Sequence, residues 1–445
     1  MRLFIGLVLA ALCPSVCLAQ VTPLGPQFQV NTYTNNDQSS PDVILNPSGA
    51  FWVAWYSYGS LGNDGAEHSI QLRLFSQLGV PVGPEAQVNT SIEGSQRLPA
   101  MATATLGTTF FAWIEAFSNG STGARGRVYQ GQAQPNNNDF PLDIAAGTAP
   151  FSGSAPAVAS QPEGQYVVTW SSLSSPGTDN DGLSILGRRF DSAGVPLTPV
   201  FQVNDFIGGD QINPDIVSFG SGNFLIVWDS GASPGDDSSG YSIQGRYFLP
   251  DGTPVAGQFQ VNSTTSGNQT SPQVAGTPSG QAVVVWQSGT SAGTDHDLTS
   301  IQVRRFSSAG LPQSADTQVN TYTSLQQYFP GVSADQAGNF IITWSSDGSP
   351  GSDNSNSSIQ ARRFTSNGSP LEDQFQVNSF IESRQILSRI ALASINHFLI
   401  VWSSLGSPGS DNSGDSIQGQ FFVHSPIFSN GFETGDTSEW SATVP

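Results

Sequence analysis

The chain has 445 residues, of which 34 are acidic and 14 basic, for a formal net charge of −20. Every basic residue is arginine, and the acidic residues are dispersed through polar segments rather than packed into a run. A balance of that sign and size argues against nucleic acid and anionic membrane surfaces as partners. It gives a soluble, self-repelling surface.

The chain opens Met1-Arg2-Leu3-Phe4 and continues through a short apolar stretch to Cys17-Leu18-Ala19. One basic residue, an apolar run and a small residue before Gln20 predict a secretory leader over residues 1–19. The run is shorter than the roughly 20 apolar residues that cross a bilayer, so no membrane insertion is expected. Both cysteines, Cys13 and Cys17, fall inside it. The chain that follows has none, which excludes disulfides and cysteine-containing metal sites there. The expected location is secreted: extracellular or at the cell surface.

From Gln20 onward the chain repeats. Trp55, Trp113, Trp170, Trp228, Trp286, Trp344 and Trp402 recur about 58 residues apart, each ending an apolar run such as Phe224–Trp228. The clearest unit starts with Phe259-Gln260-Val261-Asn262 and a polar loop ending Gln269-Thr270-Ser271-Pro272. A short strand at Gln273–Ala275, a Pro278-Ser279-Gly280 turn and the strand Ala282–Trp286 come next. A Gly/Ser/Asp loop from Ser291 to Asp297 then leads to the strand Ser300–Phe306. β-branched and aromatic runs bounded by Gly, Pro, Ser and Asn read as strands, and no helical period is sustained anywhere.

Four strands in each of seven units predict an all-β fold over residues 20–424, a seven-bladed β-propeller of four-stranded blades. An open solenoid would need shorter coils and gives no reason for the permuted ends. The piece Phe28–Asn31 precedes every other strand, whereas nothing like it follows Ser416–Phe422. The N-terminal strand is therefore expected to pair into the last blade and close the ring. Unit 2 is irregular, with Ala124-Arg125-Gly126-Arg127 in its third strand and an Asn/Gln-rich insert from Gln130 to Asp139. The tail, residues 425–445, holds too little apolar content to fold by itself and is expected to be disordered.

In a propeller, the loop leading into each inner strand and the loop after each Trp open on one face. Both are long here, so a ligand site is expected on that face. Three polar positions recur in the units. Asp64, Asp179, Asp237, Asp295, Asp353 and Asp411 lie in the loop after Trp. They suit sugar hydroxyls or, at Asp179 and Asp181, calcium; the alternative is an Asx turn. Gln38, Gln96, Gln211, Gln269, Gln327 and Gln385 precede the inner strands, and could ring the channel mouth or bond backbone groups. Arg73, Arg127, Arg188, Arg246, Arg304 and Arg362 recur in the third strand, where a planar fork can bridge loops. The tryptophans read as packing residues rather than sugar-stacking ones.

Catalytic signatures are thin. His68, His296, His397 and His424 have no metal spacing, and no Gly-x-Ser-x-Gly nucleophile elbow occurs. Ser333-Ala334-Asp335-Gln336-Ala337-Gly338 has the wrong offset for a sialidase-type Asp box. Paired carboxylates of a glycosidase carry no spacing in sequence and stay open.

The Phe-Gln-Val-Asn, Phe-Ile-Ile-Thr-Trp and Ser-Ile-Gln-x-Arg-Arg-Phe pieces resemble repeats of large secreted bacterial proteins, often adhesin-like. That resemblance covers Phe28 to Phe422. The tail Asn430-Gly431-Phe432-Glu433-Thr434-Gly435-Asp436 is similar to a C-terminal segment of secreted Gram-negative proteins, and to the first strand of jelly-roll carbohydrate-binding domains. The resemblance implies an extracellular bacterial protein and supplies no catalytic residues. The expected function is non-enzymatic binding, adhesion or scaffolding by a monomer, with a glycan or surface protein held on the long-loop face. The alternative is a secreted glycan-cleaving enzyme, a glycosidase or lyase, using carboxylates on that face. A binder should show equivalent sites in each blade; an enzyme should gather acidic residues where the blades differ.

Overall fold

The short apolar runs pair into seven antiparallel sheets, six of them built from consecutive strands and the seventh completed from the N-terminal end. The computed structural model describes residues 21–423 except 66, 132–133, 144–153 and 174. The leader and the tail expected from the sequence lie outside the described residues. Blade 4 is typical, with strands Gln211–Ser218, Phe224–Ser230, Ser242–Phe248 and Phe259–Gln260 in that order across the sheet. The first strand of each blade packs beside the first strands of its neighbours, which makes it the innermost. The fold is a seven-bladed β-propeller.

Blades face one another, so the second strand must be apolar on both sides. Phe224–Ser230 is buried along its whole length. Its Leu225 and Val227 share a core with Val284 and Trp286 of blade 5, while Ile226 and Trp228 pack with Val167 of blade 3. The hydrophobic core is thus a set of wedges between blades.

The inner strands begin earlier than the sequence suggests, at Gln269 rather than Gln273 in blade 5. Pro272 reads as a strand breaker, yet it sits inside the strand at a β-bulge. The register jumps between Thr270 and Gln273, so Ser271 and Pro272 together oppose the single Trp286. The same jump recurs opposite Trp55, Trp113, Trp228, Trp344 and Trp402. The innermost strand has a free edge toward the axis, and a proline without N–H is tolerated on such an edge. The residue before it takes positive φ in five blades, at Ser40, Leu98, Asn213, Ser271 and Phe329, and so does Leu387 at the same bulge position, where Ser388 stands in place of proline. Holding a non-glycine residue there costs on the order of 1–3 kcal/mol.

Closure follows the expectation. Phe28 pairs with Gly419 and Gln29 with Gln418, as the outer strand of blade 7. A second short pairing, Thr22–Pro23 on Val423–Phe422, extends the latch, and its Pro23–Phe422 pair repeats the Phe–Pro bridge of five other blades, as between Phe364 and Pro370. In blade 2 the insert adds Gln134–Pro135 alongside Tyr129–Gln130.

Candidate functional site

The recurring polar residues form an internal network in six of the seven blades, all but blade 2. Asp64, Asp179, Asp237, Asp295, Asp353 and Asp411 are all buried. Each Oδ2 accepts from the side-chain amide of the Phe-Gln-Val-Asn asparagine, at 2.6 Å for Asn320 to Asp295 and 2.8 Å for Asn262 to Asp237. The same holds for Asn89, Asn204, Asn378 and Asn31. That asparagine's Oδ1 in turn accepts from the third strand, as from Ile243 N at 2.8 Å. In five of these loops the aspartate's Oδ1 also takes the N–H two residues on, the geometry of an Asx turn.

The glutamines Gln38, Gln96, Gln211, Gln269, Gln327 and Gln385 are equally buried. Gln211 donates to Gly208 O and Gly209 O at 2.9 and 2.8 Å and accepts from Trp228 Nε1 at 3.2 Å. Gln269 and Gln327 hold Trp286 and Trp344 in the same way, whereas Gln38, Gln96 and Gln385 accept from Asn31, Asn89 and Asn378. The third-strand arginines lie over the aromatic ring two residues on, as Arg304 over Phe306. They reach the preceding blade as well, Arg304 Nη1 donating to Val261 O at 2.6 Å. The tryptophans are fully buried. All these side chains therefore spend their polar atoms inside the protein.

Asp179 and Asp181 do not suit a calcium ion. Asn204 turns an N–H toward Asp179 Oδ2 at 2.7 Å, and Asp181 Oδ2 faces Gly209 N at 3.3 Å. No group of three or more His, Cys, Asp or Glu side chains that could hold a metal occurs among the described residues. Melting curves with calcium and with chelator are expected to superimpose. Asp353→Ala should lower stability by about 1 kcal/mol, because it removes the acceptor shared by Asn378 Nδ2 and the Ser355 N–H, while Asn378 keeps Phe380 O and Gln385 Oε1. A chelator-dependent melt would overturn that assignment.

Several polar residues that break the repeat gather in one sector of the long-loop face, over blades 6, 7, 1 and 2. Arg384 Nη2 donates to Asp415 Oδ2 at 2.8 Å, with the Arg384 side chain 45% exposed. Asp415 is buried, and among the described residues its Oδ1 has no hydrogen-bond partner. Burial pushes its carboxyl above the ordinary range in spite of Arg384. Tyr328 donates to Asp347 Oδ1 at 3.0 Å. Burial, with Asp347 adding to it, raises the Tyr328 phenol to about 12. Asp37 accepts from Asp415 N at 3.1 Å and so joins blade 7 to blade 1.

Beyond Asp37, the His68 ring packs edge-on against Tyr56 and Tyr58, at 5.3 and 5.0 Å. Its Nδ1 lies 3.1 Å from Arg97 Nη2 and 2.9 Å from Ser95 Oγ. A guanidinium only donates, so Nδ1 accepts and Nε2 carries the proton. Burial, then the Arg97 charge, lowers the His68 pKa to about 4, leaving a fixed neutral imidazole. Recurrence could not find these residues, since they are the positions where copies differ. Arg97, Arg384 and Arg389 do carry a signal: they are arginines on inner strands, or for Arg384 just before one, outside the third-strand register.

Deeper on the axis, Asp42 and Asp215 accept from Met101 N and Val274 N, both at 2.7 Å. They cap N–H groups on the free edges of neighbouring inner strands. Burial raises both carboxyls, Asp215 to about 6, against the opposing charge of Arg389. Arg389 belongs to blade 7 and Asp215 to blade 4, so this charge contact spans the axis.

The fold and the mouth together define a propeller with one asymmetric, mixed-charge sector on its long-loop face. No protein-family model matches the chain, and no curated protein matches it. Among solved structures, a protein of unknown function from Dyadobacter fermentans is similar with a TM-score of 0.52 at 12% identity, over 91% of this chain and 99% of that one. An alpha-L-arabinanase from Penicillium chrysogenum, complexed with arabinobiose, has a TM-score of 0.49 at 13% identity, over 76% of this chain and 98% of that one. An alpha-L-arabinofuranosidase from Fusarium graminearum gives 0.49 at 14%, over 77% and 98%. At such identities the likeness is one of fold.

Proposed function

We propose that this is an exported binding protein that holds a glycan, free or on a cell surface, at one site in the sector over blades 6, 7, 1 and 2, without turning it over. The observation that carries this reading is the division of labour among polar groups. The repeated ones are consumed inside the blades, which leaves no seven equivalent sites. A set of non-repeated ones, Tyr328, Asp347, Arg384, Asp415, Asp37, His68 and Arg97, collects in one place, with the half-exposed Arg384 held by the buried Asp415. Donors, acceptors and aromatic rings so mixed suit sugar hydroxyls and their C–H faces.

Arg384→Ala is expected to weaken binding tenfold or more in calorimetric titrations against an oligosaccharide panel, with the chain still folded but melting somewhat lower, since the buried Asp415 loses its counter-charge. A variant that binds as the wild type does would sink the assignment of the site. Glycan cleavage is the second reading, favoured by two carboxylates, Asp347 and Asp415, on the groups around Arg384 and Tyr328. Steady release of reducing ends by the wild type, abolished in Asp415→Asn, would replace binding by catalysis.

A further inference from the structure

We propose that Phe329 is the platform on which a neutral sugar ring of the ligand stacks; the inference rests on the glycan-binding reading above. Phe329 occupies the bulge position of the blade 6 inner strand with φ of 50°. Blades 1, 4 and 5 place Ser40, Asn213 and Ser271 there and blades 2 and 7 place Leu98 and Leu387, none of them aromatic. A phenylalanine suits positive φ poorly, and its burial does not compensate, because Phe329 is 37% exposed. Neither backbone preference nor core packing accounts for the ring. A strained position that displays an aromatic side chain at a polar sector points instead to contact with a ligand.

The surroundings fit that role. The Tyr328 ring stands edge-on to Phe329 at 5.1 Å and 73°, and its hydroxyl is anchored on Asp347. The platform is thereby held from behind. Leu387, at the same bulge position in blade 7, is the adjoining apolar contact, and its N–H is held by Ser345 Oγ at 3.2 Å. On the blade 7 side, the half-exposed Arg384, held by Asp415 Oδ2, offers donors for ring hydroxyls. The C–H face of a sugar would lie on Phe329 while its hydroxyls meet Arg384. Three carboxylates, Asp37, Asp347 and Asp415, outnumber Arg384 and Arg97 in the sector, which favours a neutral unit over a uronate.

The test uses the full chain with two variants, Phe329→Ser and Phe329→Leu, each copying the residue that other blades carry at this position. The probes are xylo-, cello-, manno- and galacto-oligosaccharides, with oligogalacturonates as the acidic arm. Phe329→Ser should melt at or above the wild-type temperature while losing tenfold or more in affinity for a neutral probe. Phe329→Leu should lose affinity too, and Phe329→Tyr should retain it. Unchanged affinity in the serine and leucine variants, with Arg384→Ala still impaired, would overturn the platform and leave the site standing. Preference for oligogalacturonates would overturn the neutral class. A wild type that binds none of these probes would take down the glycan reading together with the platform.

Discussion

A chain that starts at Thr32 instead of carrying residues 21–31 is expected to lose the closed ring. The missing piece is the outer strand of blade 7, and several buried groups depend on it. Ile417 N donates to Asn31 Oδ1 at 2.9 Å, and Asn31 Nδ2 donates to Asp411 Oδ2 at 2.7 Å. Gln29 Oε1 accepts from Asp411 N and Ser407 Oγ, both at 3.0 Å. Phe28 lies 5.3 Å from Phe75 and 5.6 Å from Phe421, so it wedges blade 7 against blade 1. Each stranded buried donor or acceptor costs about 1–3 kcal/mol, so the four named here lose a total comparable to the roughly 5–15 kcal/mol that stabilises most folded domains. The strand Asp415–Val423 would also present an open edge for association. Size-exclusion chromatography and circular dichroism should find aggregated or unfolded chain. Adding the same eleven-residue segment after Val423, through a turn like Ser307–Asp316, should restore the ring, because it rebuilds the order found within blade 5. A truncated chain that melts like the full one would show that closure contributes nothing.

Recurrence made the ring legible. The Trp-ending runs, the Phe-Gln-Val-Asn pieces and their permuted order at the ends fix blade number, strand number and closure. Recurrence was less informative about roles. Asn262 and its counterparts looked like the end of a strand motif, yet each connects an aspartate in one loop to a third-strand N–H, as Asn262 does for Asp237 and Ile243. Pro272 looked like a boundary because proline breaks paired strands; only the free inner edge explains why it does not. The sector over blades 6, 7, 1 and 2 was hidden for the opposite reason. Asp347, Asp415, His68 and Tyr328 occupy positions filled by other residues in other copies. They are distant in the chain, and come together only because closure makes blades 7 and 1 neighbours. Subtracting the repeat from each unit would have left these residues, with Arg97 and Arg384, as the remainder.

Asp229 is such a remainder on the far side of the ring, and it predicts how stability depends on pH. In blades 6 and 7 the position after Trp is Ser345 or Ser403, whose hydroxyls accept from the bulge N–H groups of Leu387 and Ser40 at 3.2 and 3.1 Å. Blade 4 puts a carboxyl there. Asp229 is fully buried, accepts from Asn213 Nδ2 at 2.8 Å and from the Ser271 backbone, and is pushed up to about 8 by burial. In the unfolded chain an aspartate titrates near 4. Between about pH 4 and pH 8 the folded protein therefore keeps a proton that the unfolded chain has released. Stability should fall as pH rises through that window and level off above it. Asp229→Asn keeps an acceptor for Asn213 and removes the titration. The two proteins should melt alike near pH 4 and diverge upward from there. A shift of roughly four units at about 1.4 kcal/mol each sets an upper bound of about 5 kcal/mol on the variant's advantage at pH 9. Denaturant melts at pH 4, 7 and 9 measure the gap. If Asp229→Asn is instead the less stable protein at pH 9, the carboxylate is ionised in the fold and blade 4 depends on its charge.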